Sequence, residues 1–282
     1  MKYAGLLGYP LGHTLSPLLH GKLCRFMPEP MEYDKLEISM ENLELSMPKL
    51  KALDGFNVTI PHKRNIQTYL DGFDASAQKH GAVNVVAKVD GKHIGYNTDC
   101  IGFVRCVEAA GIPLQGKVCV VGIGGAGRMF ATECAYRGCQ LTLAVRSQQV
   151  QELQAGTHKD LMELQQKLAA ISGNEVAVVA SETLNGDFDL LINASPVGMF
   201  PKVDAMPVNC EVLRSVKAVF DCIYNPKETR LMQEAKAAGC RVCGGMPMLV
   251  WQAAAAQEIW YGQRFTEEQV EQVLQEMEEV LL

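Results

Sequence analysis

Apolar positions along this chain recur in two ways. Short aliphatic runs stop at glycine, proline or polar clusters, and between them apolar residues return every three or four positions, the spacings of buried strands and amphipathic helices. The run over 2–8 reads as a strand that breaks into G-Y-P-L-G-H-T-L-S-P, after which Leu18, Leu19, Leu23 and Phe26 lie at helical spacing. Residues 33–38 alternate as a strand and 41–53 read as a helix. Residues 55–60 read as a further strand running into Pro61-His62-Lys63, where the proline suits the first position of another helix. Segments 83–88 and 92–94, joined through Asp90-Gly91, predict a hairpin with an aspartate-glycine turn. A helix over 99–110 leads to a strand opening at Val118. Strands over 140–145, 176–179, 190–193 and 216–221 follow, with helical segments over 147–170 and 228–238. Repeated β-α order with β-branched strands predicts an α/β fold with a parallel, doubly wound sheet. Two helices, 246–260 and 266–281, come last; with no strand left to pair, they are expected to dock on surface already formed.

The strand at Val118 runs into G-I-G-G-A-G-R. Gly122, Gly124 and Gly127 satisfy G-x-G-x-x-G, in which the first makes a tight turn, the second admits a pyrophosphate and the third lets helix pack on strand. Met129, Phe130, Cys134 and Ala135 follow at helical spacing, so the motif sits between strand and helix, where a helix N-terminus attracts phosphate. The next strand ends Ala144-Val145-Arg146-Ser147, with no acid to hold a ribose 2′-hydroxyl. Arg146 would pair with a 2′-phosphate, which favours NADP over NAD. Gln148 and Gln149 add no second cation. The small-residue loop from Asn193 through Ser195 to Met199 leaves a strand's carboxyl end and is expected against the cofactor.

Composition narrows the partners. A net charge of −6 without a lysine or arginine block argues against nucleic acid or an anionic membrane. The opening residues are interrupted by Gly5, Gly8 and Pro10, which does not suit a signal segment, and a cytoplasmic protein is expected. Several of the ten cysteines (Cys24, Cys106, Cys119, Cys134) fall inside apolar runs and read as core filling. Cys240 and Cys243 form a lone C-x-x-C without the second pair a zinc ribbon needs.

Polar clusters mark the remaining loops: Thr14 and Ser16; Asn57, Thr59 and Lys63; Asn84; Asn97, Thr98 and Asp99; and Gln252. Each ends a strand or opens a helix, so a sheet could aim them at one crevice, although each taken singly suits a cap or turn. In order, segments 8–17, 57–63, 81–84, 97–99, 122–127, 193–199, 221–229 and 244–252 resemble the shikimate dehydrogenase family, which includes quinate/shikimate dehydrogenases. The resemblance runs essentially the whole length.

It implies an N-terminal α/β substrate domain over 1–101, completed by helices within 245–282, and a Rossmann-type NADP-binding domain over 102–244. It implies reversible reduction of 3-dehydroshikimate to shikimate by NADPH, with Lys63 and Asp99 as the catalytic pair. Thr14, Ser16, Thr59, Asn84 and Gln252 fall where the family binds substrate. Gly122, Gly124, Gly125, Ala126, Gly127, Arg146, Asn193, Ser195, Met199, Tyr224 and Gly245 fall where it binds cofactor. No metal is expected. Hydride arriving at a ketone carbon leaves alkoxide charge that needs a proton donor, and lysine holds its proton too tightly to act alone, so lysine and aspartate read as one coupled unit.

Thr14, Gly21, Val85 and Cys100 depart from residues usual in the family (serine, asparagine, threonine and glycine), and Thr14 could reshape the end that holds a carboxylate. The alternatives are a dehydrogenase acting mainly on quinate or another hydroxylated ring acid, with NAD possible, and a non-catalytic metabolite sensor. A sensor needs neither Lys63 nor Asp99. The expected partner is a small molecule, and the expected assembly a monomer or homodimer.

Overall fold

The computed structural model describes residues 1–12 and 14–280. In chain order the first elements are β1 (Lys2–Gly8), α1 (Ser16–Cys24), β2 (Met31–Glu37), α2 (Leu43–Lys51), β3 (Gly55–Val58), β4 (Gly72–Phe73) and α3 (Ala75–His80). The hairpin β5 (Val85–Val89) and β6 (Lys92–Tyr96) precedes α4 (Thr98–Ala109). Then come β7 (Lys117–Val121), α5 (Gly125–Tyr136), β8 (Gln140–Val145), α6 (Ser147–Gln154), α7 (Lys159–Ser172), β9 (Ala177–Ala180), β10 (Phe188–Asn193) and β11 (Val216–Asp221). The elements α8 (Arg230–Ala237), β12 (Arg241–Cys243), α9 (Gly245–Tyr261) and α10 (Glu267–Glu279) complete the order. The helix expected over 266–281 thus starts from Thr266, whose side chain caps it, and its last residue lies outside the described residues.

Contacts divide the chain into two compact units, Met1–Gly102 with Leu249–Val280, and Phe103–Met248. The first carries a mixed sheet ordered β2-β1-β3-β5-β6-β4. β1 runs parallel to both β2 and β3, whereas β5 runs antiparallel to β3 and β6. Leu6 is in register with Asn57, Asn57 with Val85, and Val85 with Tyr96. The carboxyl ends of β1, β3 and β6 and the start of β5 therefore gather at one sheet edge. One face buries Leu7, Leu50, Phe56, Ile66, Val83 and Val86. On the other, α9 packs Ala256 and Trp260 against Ala4, Val85 and Ala87, and Trp260 Nε1 donates to Val86 O at 3.0 Å.

The second unit's sheet is ordered β12-β11-β10-β7-β8-β9 and every pair is parallel. Strand order reverses between β7 and β10, which is the switch point of a doubly wound dinucleotide fold. Phe103, Phe130 and Phe220 are fully buried and meet with ring centroids 4.6–5.4 Å apart.

Several elements differ from the sequence expectation for local reasons. No helix starts at Pro61: His62 N–H turns back to Thr59 O at 2.9 Å, the buried His62 ring is tied to Ile38 O at 2.6 Å, and only a 3-10 helix, Asn65–Tyr69, follows. The helix expected over 147–170 is two, because Thr157 bonds Glu152 O through both amide and hydroxyl and His158 caps a new start. The segment 41–53 opens with a 3-10 turn at Met40–Asn42 before α2. Cys106, Cys119, Cys134, Cys240 and Cys243 are buried, whereas Cys24 is half-buried against the Tyr261 hydroxyl. The short α3 and β4 carry too little periodicity to have been expected.

Phe130 is fully buried against both other rings of the aromatic triad. Phe130→Ala should cost about 3–5 kcal/mol in equilibrium urea unfolding; a loss near zero would mean that the ring's neighbours close the space.

Candidate active site

In the first unit, polar side chains collect where the strand register predicts. Asn84, immediately before β5, is buried; its Oδ1 accepts the Thr98 amide at 2.6 Å, and its Nδ2 donates to Thr98 Oγ1 at 3.0 Å and to Asp99 Oδ1 at 2.9 Å. The other carboxylate oxygen of Asp99 receives Lys63 Nζ at 2.6 Å. Both members of that pair stay partly open, with 33% and 24% of their side chains exposed, so solvent or a ligand can reach the ammonium. Asp99 lies in the first turn of α4, where the helix dipole favours its charge. The cap itself is Asn97, whose Oδ1 accepts the Cys100 amide at 3.3 Å. The Cys100 thiol points to Asn97 O at 3.1 Å and therefore does not crowd Asp99.

Thr14 and Ser16 share one hydrogen bond: their hydroxyl oxygens lie 3.2 Å apart, and Thr14 Oγ1 also accepts the Ser16 amide. Thr59 follows β3, its amide bonded to Leu7 O at 2.8 Å. Gln252 lies on α9 and donates to Leu249 O in its own helix turn at 3.0 Å. Beneath this edge runs a buried polar group that the sequence did not announce. His20 stacks on Tyr33 with centroids 4.3 Å apart, Gln257 Nε2 donates to His20 O at 2.8 Å, and Tyr33 OH donates to Asn57 Oδ1 at 2.6 Å. Burial pushes the His20 imidazole down to about 3, against its hydrogen bond with Asn57, so it stays neutral.

In the second unit, β7 runs directly into Gly122, whose φ of +87° suits glycine and whose amide donates to Ala144 O. A Cβ at Gly127 would fall 2.0 Å from Gly122 O, so α5 can approach the turn only with glycine there. At Gly124 and Gly125 a Cβ would meet nothing within 4 Å. With the first-turn amides of α5, from Gly125 through Ala126 and Gly127, this leaves open space beside free donors, the shape and polarity that a pyrophosphate needs. The residues present thus fit a dinucleotide.

The neighbouring strand ends carry a second polar hub. Asn193 Oδ1 accepts the Ser195 amide at 3.1 Å and its hydroxyl at 2.7 Å, while Asn193 Nδ2 donates to Asp221 Oδ1 at 3.0 Å. Asp221 also accepts the Ile223 amide at 3.1 Å and the Thr229 hydroxyl at 2.6 Å. Burial pushes its carboxyl up to about 6, against the hydrogen bonds from Thr229, Ile223 and Asn193. The loops beyond it are joined to one another: Phe200 N–H donates to Asn225 O, beside Met199 and Tyr224, and Gly245 N–H donates to Ile223 O. Met199 and Tyr224 are exposed on these loops. Arg146 is exposed at the end of β8, and its Nε reaches Gln149 Oε1 at 3.5 Å.

The structure therefore joins Lys63, Asp99 and Asn84 directly, pairs Thr14 with Ser16, and connects Asn193 with Ser195. Asp221 opens the 221–229 segment, yet its part in this hub lies outside the site residues that the resemblance implies. The available signal was an acid ending a β-branched strand, a place where a carboxylate must be buried and held. Among the described residues, no helix is long and apolar enough to cross a membrane.

The order and parallel register of the second sheet, with its glycine turn, define a Rossmann-type dinucleotide-binding protein. Residues 6–86 match the family model for the shikimate dehydrogenase substrate binding domain. The chain is 38% identical over 265 residues to a shikimate dehydrogenase (NADP(+)) of Methanocaldococcus jannaschii, covering 93% of this chain and 92% of that protein. It is 36% identical to one of Geobacillus kaustophilus, covering 93% of each. The crystal structure of a Thermus thermophilus shikimate 5-dehydrogenase with NADP(H) and shikimate superposes with a TM-score of 0.81 at 32% identity, covering 98% of this chain and 99% of that one. The chain belongs to the shikimate dehydrogenase family.

Because the carboxyl of Asp221 is raised above its ordinary value, the folded state holds that proton more tightly than the unfolded chain does. Its contribution to stability is full below the ordinary value near 3.8 and is lost as pH rises through about 6. Asp221→Asn cannot ionise. The stability difference, variant minus wild type in urea unfolding, should rise by about 2 kcal/mol between pH 4 and pH 7; a difference flat with pH would remove the buried charge as its source.

Proposed function

We propose that this protein catalyses the reversible, NADPH-dependent reduction of 3-dehydroshikimate to shikimate. The observation that carries the reading is the 2.6 Å Lys63–Asp99 pair, with Asn84 on the second carboxylate oxygen. Its relatives' names and the solved structure with both ligands support the same reaction. The first unit, in this reading, binds the ring acid and the second binds the dinucleotide.

NADPH, when bound, supplies the hydride. Lys63 Nζ donates a proton to the oxygen on which charge develops, and Asp99 keeps the ammonium oriented and shares the proton. Asn84 fixes which oxygen of Asp99 remains for Lys63. Thr14 and Ser16, whose hydroxyls already lie within hydrogen-bond distance, hold the substrate carboxylate, and Thr59 and Gln252 hold ring hydroxyls. Hydroxyl-lined walls select a polyol, because a ligand lacking those groups would leave buried donors unpaired. Gly122, Gly124, Gly125, Ala126 and Gly127 take the pyrophosphate, Arg146 the 2′-phosphate, and Asn193, Ser195, Met199, Tyr224 and Gly245 the nicotinamide end. A net charge of −6 accords with a small-molecule partner rather than nucleic acid, and we place the enzyme in the cytoplasm. One observation favours a wider substrate range. Thr14, with its extra methyl and stiffer rotamer, stands at the end that takes the carboxylate, near the carbon where quinate and shikimate differ.

Lys63→Ala should lower kcat by about 10²–10⁴-fold while the dissociation constant for NADP stays near that of wild type. Turnover like wild type with shikimate would sink the assignment. Thr14→Ser, which keeps the hydroxyl, should raise the shikimate-to-quinate ratio of kcat/KM; an unchanged ratio would show that the methyl plays no part in the choice.

A further inference from the structure

The register of β8 and β9 brings a carboxylate, Glu182, onto Ser147, the residue that follows Arg146. Val145 pairs with Ala180, so the residues just after both strands emerge together at the carboxyl edge of the sheet. There the chain enters a 3-10 turn, Ser181–Thr183, and Glu182 turns toward the start of α6. Its Oε2 accepts the Ser147 hydroxyl at 3.0 Å, and its Oε1 accepts the Ser147 amide at 3.4 Å. Ser147 directly follows Arg146. Hydrogen bonds from its own amide, then from Ser147 and Ser181, hold the Glu182 carboxyl below the usual range, so it is an anion at neutral pH.

We propose that Glu182 is a specificity-determining residue that sets the balance between NADP and NAD. The inference rests on the reading of Arg146 as the partner of the 2′-phosphate. Such a phosphate needs Arg146 and the donors at the α6 N-terminus, and Glu182 already occupies the two donors of Ser147. NADP therefore binds by displacing an anion from those donors and then remains beside it as a like charge. A 2′-hydroxyl, by contrast, donates to that carboxylate, as the acid of an NAD site does. Arg146 and Glu182 thus act on one cofactor atom in opposite senses. Glu182 is exposed on a short turn, so it can swing aside, and the effect is a graded preference rather than exclusion.

The test is equilibrium binding of two half-cofactors, ADP-ribose and its 2′-phosphate, by titration calorimetry to wild type, Glu182→Gln, Glu182→Ala and Arg146→Ala. Both Glu182 variants should bind the 2′-phosphorylated fragment about fivefold more tightly and ADP-ribose no more tightly than wild type, a change of about 1 kcal/mol in preference. The NADP-to-NAD ratio of kcat/KM should rise in parallel. Arg146→Ala should shift the preference the other way. If Arg146→Ala does so but neither Glu182 variant moves the preference twofold, Glu182 has no such role and the phosphate subsite stands. If none of the three moves it, subsite and proposal both fall. Neither fragment contains the ring acid, so these outcomes are independent of the reaction proposed above.

Discussion

The amide of Asn84 fixes where charge can sit in the first unit. With one oxygen and one nitrogen it ties the loop before β5 to the first turn of α4, accepting the Thr98 amide and donating to Asp99. Because the amide is buried, leaving either end unpaired would cost more than a typical hydrogen bond gains. Asp99 consequently has one oxygen spoken for, and Lys63, arriving from beyond β3, meets the other. Remove that constraint and Asp99 loses the bond that leaves only one of its oxygens for Lys63.

The second unit uses the same physics at different strand ends. Asn193 and Asp221, in register on adjacent parallel strands, satisfy one another and then the first amides of the loops that follow. A parallel sheet has no tight hairpins to order its carboxyl edge, so buried side-chain polar groups must do so. In both units the strands deliver the backbone to a line, and an amide paired with a carboxylate turns that line into a defined set of directions.

What could be read from the sequence divides along the range of the interactions. The strands of the second sheet were legible because their apolar, β-branched runs reflect burial on both faces, and Gly122 through Gly127 because a short motif contains its own geometry. The resemblance of ordered motifs singled out Lys63 and Asp99, which lie 36 positions apart and meet only through the fold. His62 spoiled the helix expected at Pro61 by bonding the carbonyl of Ile38, and Glu182 reaches Ser147 across 35 positions. Neither partner carries a local mark, since histidine and glutamate at those places look like ordinary loop residues. Asp221 was visible as a letter in a motif but not as a buried charge, because burial depends on which strands flank it.

The make-up of the first unit bears on the order of events at the ribosome. Its sheet, β1 through β6, is synthesised early, yet α9 covers Ala4, Val85 and Ala87, and Glu276 on α10 binds Lys22 and Arg25. Residues 103–248 form a contiguous unit, all of it translated before α9 is complete. The apolar residues Ala4, Val85 and Ala87 therefore wait for their cover, Ala256 and Trp260, until every residue of the second unit has been made.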